Sequence, residues 1–229
     1  TSKTATTSGC ACMAESLNGR ENMESGGHDA VGLVVFDLDG TLTGRDVFRE
    51  FSLRLRPRRQ RLAALACMGG HFIGALDNDG LKKQILRRWL ATGRRKAETV
   101  EAAVLSSASS VYPDMVAWLS RYQSAGYTVV VATASPRFLA EPVLARIGIG
   151  GVLLVAAEAR LEDGVLHYES CYGAEKLARL RSRFPGRELG LVVSDSDSDS
   201  ASLRAAKAEV MVSRGAKVSS RGVFPGMEP

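Results

Sequence analysis

The chain reads as an α/β protein, a doubly wound parallel sheet interrupted by an inserted helical domain. Three observations predict it. Short apolar runs recur at Val31 to Phe36, Thr128 to Thr133, Val152 to Ala157, Leu189 to Val193 and Glu209 to Val212. Such runs suit strands buried on both faces of a parallel sheet. Helical periodicity fills the intervals between them, as parallel connections demand. The first interval, from Asp46 to Ser110, is far longer than one crossover helix needs and carries no strand pattern.

The elements follow in order. The run Val31 to Phe36 stops at Asp37, a second carboxylate follows at Asp39, and Gly40 lets the backbone turn. Val47 to Leu55 suggests a helix ending at Pro57; Leu62 to Leu76, Leu81 to Leu90 and Ala97 to Leu105 carry further helical patterns. Gly69-Gly70, Asp79-Gly80 and Gly93 break them. A helix from Asp114 to Ser124 precedes the strand Thr128 to Thr133, and another, Arg137 to Arg146, follows it. After the run Val152 to Ala157, residues Arg160 to Tyr168 form a hairpin pattern turning at Asp163-Gly164. A helix from Ala174 to Arg183, the strand Leu189 to Val193, a short helix and the strand Glu209 to Val212 complete the pattern.

Domain boundaries come from these patterns. Residues 29–44 and 113–213 form the core, 45–112 the helical insert, and 1–28 and 214–229 are polar, non-periodic tails expected to be disordered. At 229 residues with 45% apolar content, the chain can bury a core and a smaller inserted domain. Cys10 and Cys12 have no second pair to complete a zinc site, and Cys67 and Cys171 stand apart. Free thiols, and a first segment without a signal-peptide core, predict a cytoplasmic protein. The net charge is +5, yet within the insert fourteen Lys or Arg face six Asp or Glu. That asymmetry predicts an anionic partner for the insert.

Ligands of open parallel sheets bind beyond the carboxyl ends of the strands. Asp37 and Asp39 sit at such an end and would repel each other unless a cation lay between them. The pair therefore predicts a phosphoryl-transfer site.

Asp37-Leu-Asp-Gly-Thr-Leu-Thr43 resembles the first signature of the haloacid dehalogenase-like superfamily. Three further signatures follow in order: Thr133 after Val129-Val-Val-Ala, Lys176 in Cys171-Tyr-Gly-Ala-Glu-Lys, and Asp195-Ser-Asp-Ser-Asp199. The resemblance spans residues 31 to about 215 and implies a Rossmann-like core whose insert is a cap domain. It implies that Asp37 is the nucleophile, forming an aspartyl-phosphate, and that Asp39 serves as acid and then base. Dehalogenases of the superfamily lack that second Asp and ion-pumping ATPases carry Thr there, so Asp39 favours a phosphatase. Thr133 is expected to bond a phosphoryl oxygen, the alternative being an N-cap of the next helix. Lys176 would offset charge on nucleophile and phosphoryl group. Hard oxygen ligands suit Mg²⁺, expected on the Asp37 and Asp195 side chains and the Asp39 carbonyl. Asp199 would orient the metal shell or Lys176, and Asp197 would face solvent. Thr41 either caps the turn or touches substrate. Ser194 replaces the usual Gly of the fourth signature.

The helical insert resembles that of the phosphoserine phosphatase-like branch. Asp46 stands where that enzyme has a longer Glu, and Thr133-Ala-Ser135-Pro136 replaces its Gly-Gly; Asp46 and Ser135 are the candidate substrate-binding residues. These segments look more like phosphatidylglycerophosphatase C and its relatives, which act on a lipid head group. Arg54, Arg56, Arg58, Arg59 and Arg61 precede the apolar segment 62–76, an arrangement that suits peripheral contact with an anionic membrane or an ordinary solvated helix face. The alternatives are a phosphatase of phosphoserine or another small metabolite and, from a different class, a non-catalytic nucleic-acid-binding protein. Against the last, Phe48, Phe51, Phe72 and Trp89 are dispersed along the insert.

Overall fold

A computed structural model describes residues 32–55, 61–66, 77–91 and 96–226. The expectations for residues 1–28, for Arg56, Arg58 and Arg59, and for most of the apolar stretch 62–76 lie outside them.

Seven strands form one sheet: β1 (Leu33–Phe36), β2 (Val129–Pro136), β3 (Leu153–Glu162), β4 (Val165–Glu169), β5 (Leu189–Ser194), β6 (Ala208–Ser213) and β7 (Ala216–Arg221), in the order β4-β3-β2-β1-β5-β6-β7. The inner pairs are parallel, and the two outer pairs, β3–β4 and β6–β7, are antiparallel. Central β1 is buried throughout. Its side chains alternate between two cores: Val34 and Phe36 join one, Leu33 and Val35 the other. That alternation is why the strand reads as a continuous apolar run.

The insert is helical. It holds α1 (Val47–Leu53), α2 (residues 61–66), α3 (Asn78–Leu90) and α4 (Lys96–Ala108). After it come α5 (Pro113–Ser124), α6 (Arg137–Arg146), α7 (Ala174–Arg183) and α8 (Ser200–Ala205). Helix α4 packs on α1 and α6, and α3 lies against β3 and β4. The aromatic residues dispersed in the sequence converge here. Phe51 meets Trp89 edge-on at 4.9 Å, and Trp89 stacks on Phe138 at 5.1 Å. Phe48, Phe51 and Trp89 are buried core residues, so they cannot offer a base-stacking platform. No helix among the described residues is long and apolar enough to cross a membrane.

The segment after Ser213 differs from the expected tail. Arg214 and Gly215 turn the chain with φ of 52° and 74°, and β7 then pairs with β6. Being an edge strand with mostly exposed side chains, β7 lacks the apolar alternation that would mark it. Beyond it, Phe224 packs beside Tyr122 and Tyr127, while Trp118 Nε1 donates to the Gly226 carbonyl at 2.7 Å. Burying a side chain of that size contributes about 1.5–3 kcal/mol, so this strap is part of the fold. At the other edge, the run at 152–157 and the first arm of the hairpin are one strand, β3, with its turn at Asp163 and Gly164 as expected.

Candidate active site

The parallel strands β1, β2 and β5 end together, and the loops beyond them bring the acidic residues into one pocket. Asp37 follows β1, its N–H donating to the Val193 carbonyl at 2.9 Å. Its carboxylate is 8% exposed. Lys176, on the first turn of α7, reaches it across the pocket: Nζ lies 2.8 Å from Asp37 Oδ1 and 2.7 Å from Asp199 Oδ2. Burial pushes the Asp37 carboxyl up to about 7; Lys176 opposes the shift, while Asp199 and Asp39 add to it. Burial would lower the Lys176 pKa, but the Asp37 and Asp199 charges outweigh it and raise it. Lys176 is therefore a fixed cation.

Asp39 is oriented at both oxygens. Oδ1 accepts from the Val47 N–H at 2.9 Å; Oδ2 accepts from the hydroxyls of Ser135 at 2.7 Å and Thr133 at 3.2 Å. Burial raises its pKa to about 6, with Asp46 adding and the Ser135 hydrogen bond opposing. Thr133 does not cap α6, whose N-cap is Pro136 with no side-chain bond. Its hydroxyl instead accepts from the Ser135 N–H at 3.0 Å.

Asp195 follows β5 and accepts from Thr41 Oγ1 at 3.3 Å. It lies against Gly40, which has φ of 87°, and a Cβ there would come within 1.9 Å of Asp195 Oδ2. Only glycine meets both demands. Burial raises the Asp195 pKa. Ser194, in place of the family's usual Gly, donates to Asp199 Oδ2 at 2.7 Å and is fully buried. Asp199 Oδ1 is buried without a hydrogen-bond partner among the described residues. Asp197 is exposed.

Asp46 is exposed; its Oδ1 accepts from the Arg49 N–H at 2.8 Å, capping α1, and its charge acts on both Asp39 and Lys82. A second insert residue at the pocket is Lys82, absent from the sequence candidates. Its ammonium donates to the Ala134 carbonyl at 2.7 Å and lies 5.7 Å and 5.9 Å from the Phe48 and Tyr172 rings. Burial lowers its pKa against the pull of Asp46, Asp39 and Asp79. The signal was present: Lys82, Ile85, Leu86 and Trp89 form one stripe of α3, all buried. A Lys inside an apolar stripe is the anomaly to notice. A further tie holds α3 down, Asp79 accepting from Ser170 Oγ at 3.0 Å.

Asp37, Asp39, Asp195 and Asp199 face the amines of Lys176 and Lys82, an imbalance that a divalent cation would cancel. Among the described residues no group of three or more His, Cys, Asp or Glu side chains encloses a metal position. The expected Mg²⁺ set needs only two carboxylates and a carbonyl, leaving places for water and phosphate oxygens. The close approach of Asp195 to Gly40, the residue after Asp39, fits that set.

Comparison with known proteins bears on the fold and the family. The chain is 32% identical over 199 residues to Protein CicA of Caulobacter vibrioides, covering 82% of this chain and 88% of that protein. A Bordetella pertussis Tohama I protein of unknown function superposes with a TM-score of 0.67 at 20% identity, over 79% of this chain and 90% of that one. A phospho-aspartyl intermediate analogue of phosphoserine phosphatase superposes with a TM-score of 0.51 at 16% identity, over 79% and 86%. These structures share the fold. The family model for haloacid dehalogenase-like hydrolases matches residues 34–204, a span running from β1 through Asp195 and Asp199 into α8, and the chain belongs to that family.

Proposed function

We propose that this hydrolase is a Mg²⁺-dependent phosphatase that cleaves a phosphate monoester through an aspartyl-phosphate on Asp37. The observation that carries the proposal is a second carboxylate, Asp39, held by three hydrogen bonds in the pocket that contains the Asp37–Lys176 pair. In the first displacement an Asp37 oxygen attacks phosphorus while Asp39 protonates the departing ester oxygen. In the second, water attacks the aspartyl-phosphate, Asp39 takes its proton, and inorganic phosphate leaves. A pKa near 6 lets Asp39 serve both steps around neutral pH. Lys176 holds the Asp37 carboxylate and offsets charge on the phosphoryl oxygens, and Thr133 supplies a hydroxyl beside it. Mg²⁺ on Asp37, Asp195 and the Asp39 carbonyl would supply further charge neutralisation, with Asp199 orienting Lys176. The likeness to a phospho-aspartyl analogue structure supports the same chemistry. Residues 45–112 would act as the cap over the core of 29–44 and 113–213.

Lys82 bears on the substrate. One of its three N–H donors is used by Ala134, and it lies between Phe48 and Tyr172 on the insert side of the pocket. A leaving group with a second anionic centre would meet it there. The lipid head group of phosphatidylglycerophosphate carries such a centre in its phosphodiester, and phosphoserine carries one in its carboxylate. The lipid is favoured because Asp46, which would stand for the amine-reading Glu, is the shorter acid and uses Oδ1 to cap α1. Phosphoserine remains the runner-up. A non-catalytic nucleic-acid role has little support, since Phe48, Phe51 and Trp89 are buried.

Phosphate release with Mg²⁺ should be measured on phosphatidylglycerophosphate, phosphoserine, glycerophosphate and nucleotides, for wild type and Asp37→Asn. Release that ends with chelation or with Asp37→Asn supports the mechanism; release surviving both overturns it. A preference for phosphoserine over the lipid overturns the substrate assignment alone.

A further inference from the structure

Helix α3 divides its side chains between two environments. Lys82, Ile85, Leu86 and Trp89 face inward and are buried. Lys83 and Arg87, one turn apart, are exposed. They form one wall of a groove of about 400 Å³ whose other wall is Gly164, Val165 and Leu166 of the β3–β4 hairpin. The Lys83 ammonium lies 5.7 Å from the Tyr168 ring, and Val165 is 58% exposed at the groove's rim. Arg87 also lines a second groove, of about 480 Å³, that continues to Ala91. The hairpin also carries two exposed acids outside the groove lining, Glu162, which lies 3.9 Å from Arg160, and Asp163 beside Gly164. Helix α2 repeats the combination. Arg61 is exposed beside Leu62 and Leu65, which are 64% and 42% exposed, while Ala64 is buried in the core that includes Leu86 and Trp89.

We propose that the groove between α3 and the β3–β4 hairpin is a docking surface for an anionic lipid bilayer, with lipid phosphates seated in it by Lys83 and Arg87. The proposal deepens the lipid-phosphatase reading and rests on it. Charge complementarity selects an anionic occupant, since Lys83 and Arg87 line the groove and no carboxylate is among its lining residues. The apolar rim selects a bilayer over a nucleic acid: Val165, like Leu62 and Leu65, is an aliphatic side chain in contact with water, suited to the head-group boundary. A nucleic-acid surface would instead present aromatic platforms, and Phe48, Phe51 and Trp89 of the insert are buried. The same helix carries Lys82 into the pocket on its inner side. Docking on α3 would therefore hold the bilayer one helix away from the site that cleaves its lipid.

The test uses the full chain and sedimentation with vesicles of phosphatidylglycerol plus phosphatidylcholine, or of phosphatidylcholine alone. Wild type should sediment with the anionic vesicles only, and binding should weaken as salt screens the charges. Each basic side chain near such a surface changes partitioning roughly fivefold, so Lys83→Glu with Arg87→Glu should lower it by at least about tenfold. Val165→Ser, at an exposed hairpin position, should lower it severalfold. Release of phosphate from p-nitrophenyl phosphate should be unchanged in both variants. Failure of wild type to sediment, equal binding by both variants and wild type, or binding of single-stranded RNA in place of vesicles overturns the docking proposal. Intact p-nitrophenyl phosphate release without vesicle binding overturns docking alone. Vesicle binding without any phosphate release supports docking and counts against the phosphatase reading instead.

Discussion

Lys176 holds Asp37 across 139 positions of the chain, its ammonium 2.8 Å from Oδ1 and both residues buried. The same ammonium serves Asp199 at 2.7 Å, so one cation sits between two buried carboxylates.

Removing that cation leaves both carboxylates uncompensated. Lys176→Met should cost about 3–5 kcal/mol of stability, the range for breaking a buried pair, and should abolish turnover. Denaturant unfolding and phosphate release measure the two effects. Asp37→Asn should also abolish turnover but unfold near the wild-type midpoint, because Lys176 keeps Asp199. An equal loss of stability in both variants would contradict the arrangement.

Asp39 as general acid implies a dependence on the leaving group. Asp39→Asn should slow hydrolysis of alkyl phosphates by about 10²–10⁴-fold, the usual value of acid–base catalysis. Aryl phosphates, whose leaving oxygens need little protonation, should lose much less. Ser135→Ala removes the 2.7 Å bond to Oδ2 and should show a weaker form of the same pattern. Equal losses on both substrate classes would rule out the acid role.

Lys82→Met keeps an apolar stem near the Phe48 and Tyr172 rings while removing the charge. Substrates with a second anionic group should lose about 10- to 100-fold in kcat/KM, as expected for one charge-assisted hydrogen bond. p-Nitrophenyl phosphate, which lacks such a group, should change little. Steady-state kinetics on the two substrates decide the matter.

Gly40→Ala places a Cβ within 1.9 Å of Asp195 Oδ2 at a φ of 87°. The strain should destabilise the fold by more than about 1 kcal/mol. The displaced carboxylate should weaken Mg²⁺ activation by about tenfold or more. A Mg²⁺ titration of activity that matches wild type would show that Asp195 does not need that contact.

The raised carboxyl pKa values set a pH signature. Burial lifts Asp37 from 3.8 to about 7 and Asp39 from 3.8 to about 6. A carboxyl raised in the folded state binds more protons there than when unfolded, so its contribution to stability is full below about pH 4. That contribution is lost as pH rises towards 7. The metal-free protein should therefore lose stability across this window from these two groups. Mg²⁺ competes with protons for the same oxygens, so the rise in Tm on adding it should be larger at pH 8 than at pH 5. Thermal melts with chelator or with Mg²⁺ at the two values test the sign; a larger rise at pH 5 would contradict it.

The sheet and the identity of the acidic loop were readable from the sequence alone. A strand buried on both faces is written in consecutive residues, and a break from Phe36 to Asp37, with Gly40 beyond, marks where it meets solvent. Thr133, Lys176, Asp195 and Asp199 were readable through the order of short segments, each signal lying within a few residues. The β7 strand was not readable, because an exposed edge strand buries neither face and leaves no period. Lys82 stood in an apolar stripe, yet only the fold reveals its partner, the Ala134 carbonyl, 52 positions away. Ser194 and Ser135 were likewise ordinary hydroxyls until packing set one on Asp199 and the other on Asp39. Periodicity and turn chemistry depend on neighbours along the chain, so the sequence alone determined the elements and the residues at their ends. Which side chains share a dry pocket depends on how helices from a distant insert pack on the sheet, and the tertiary structure alone decided that.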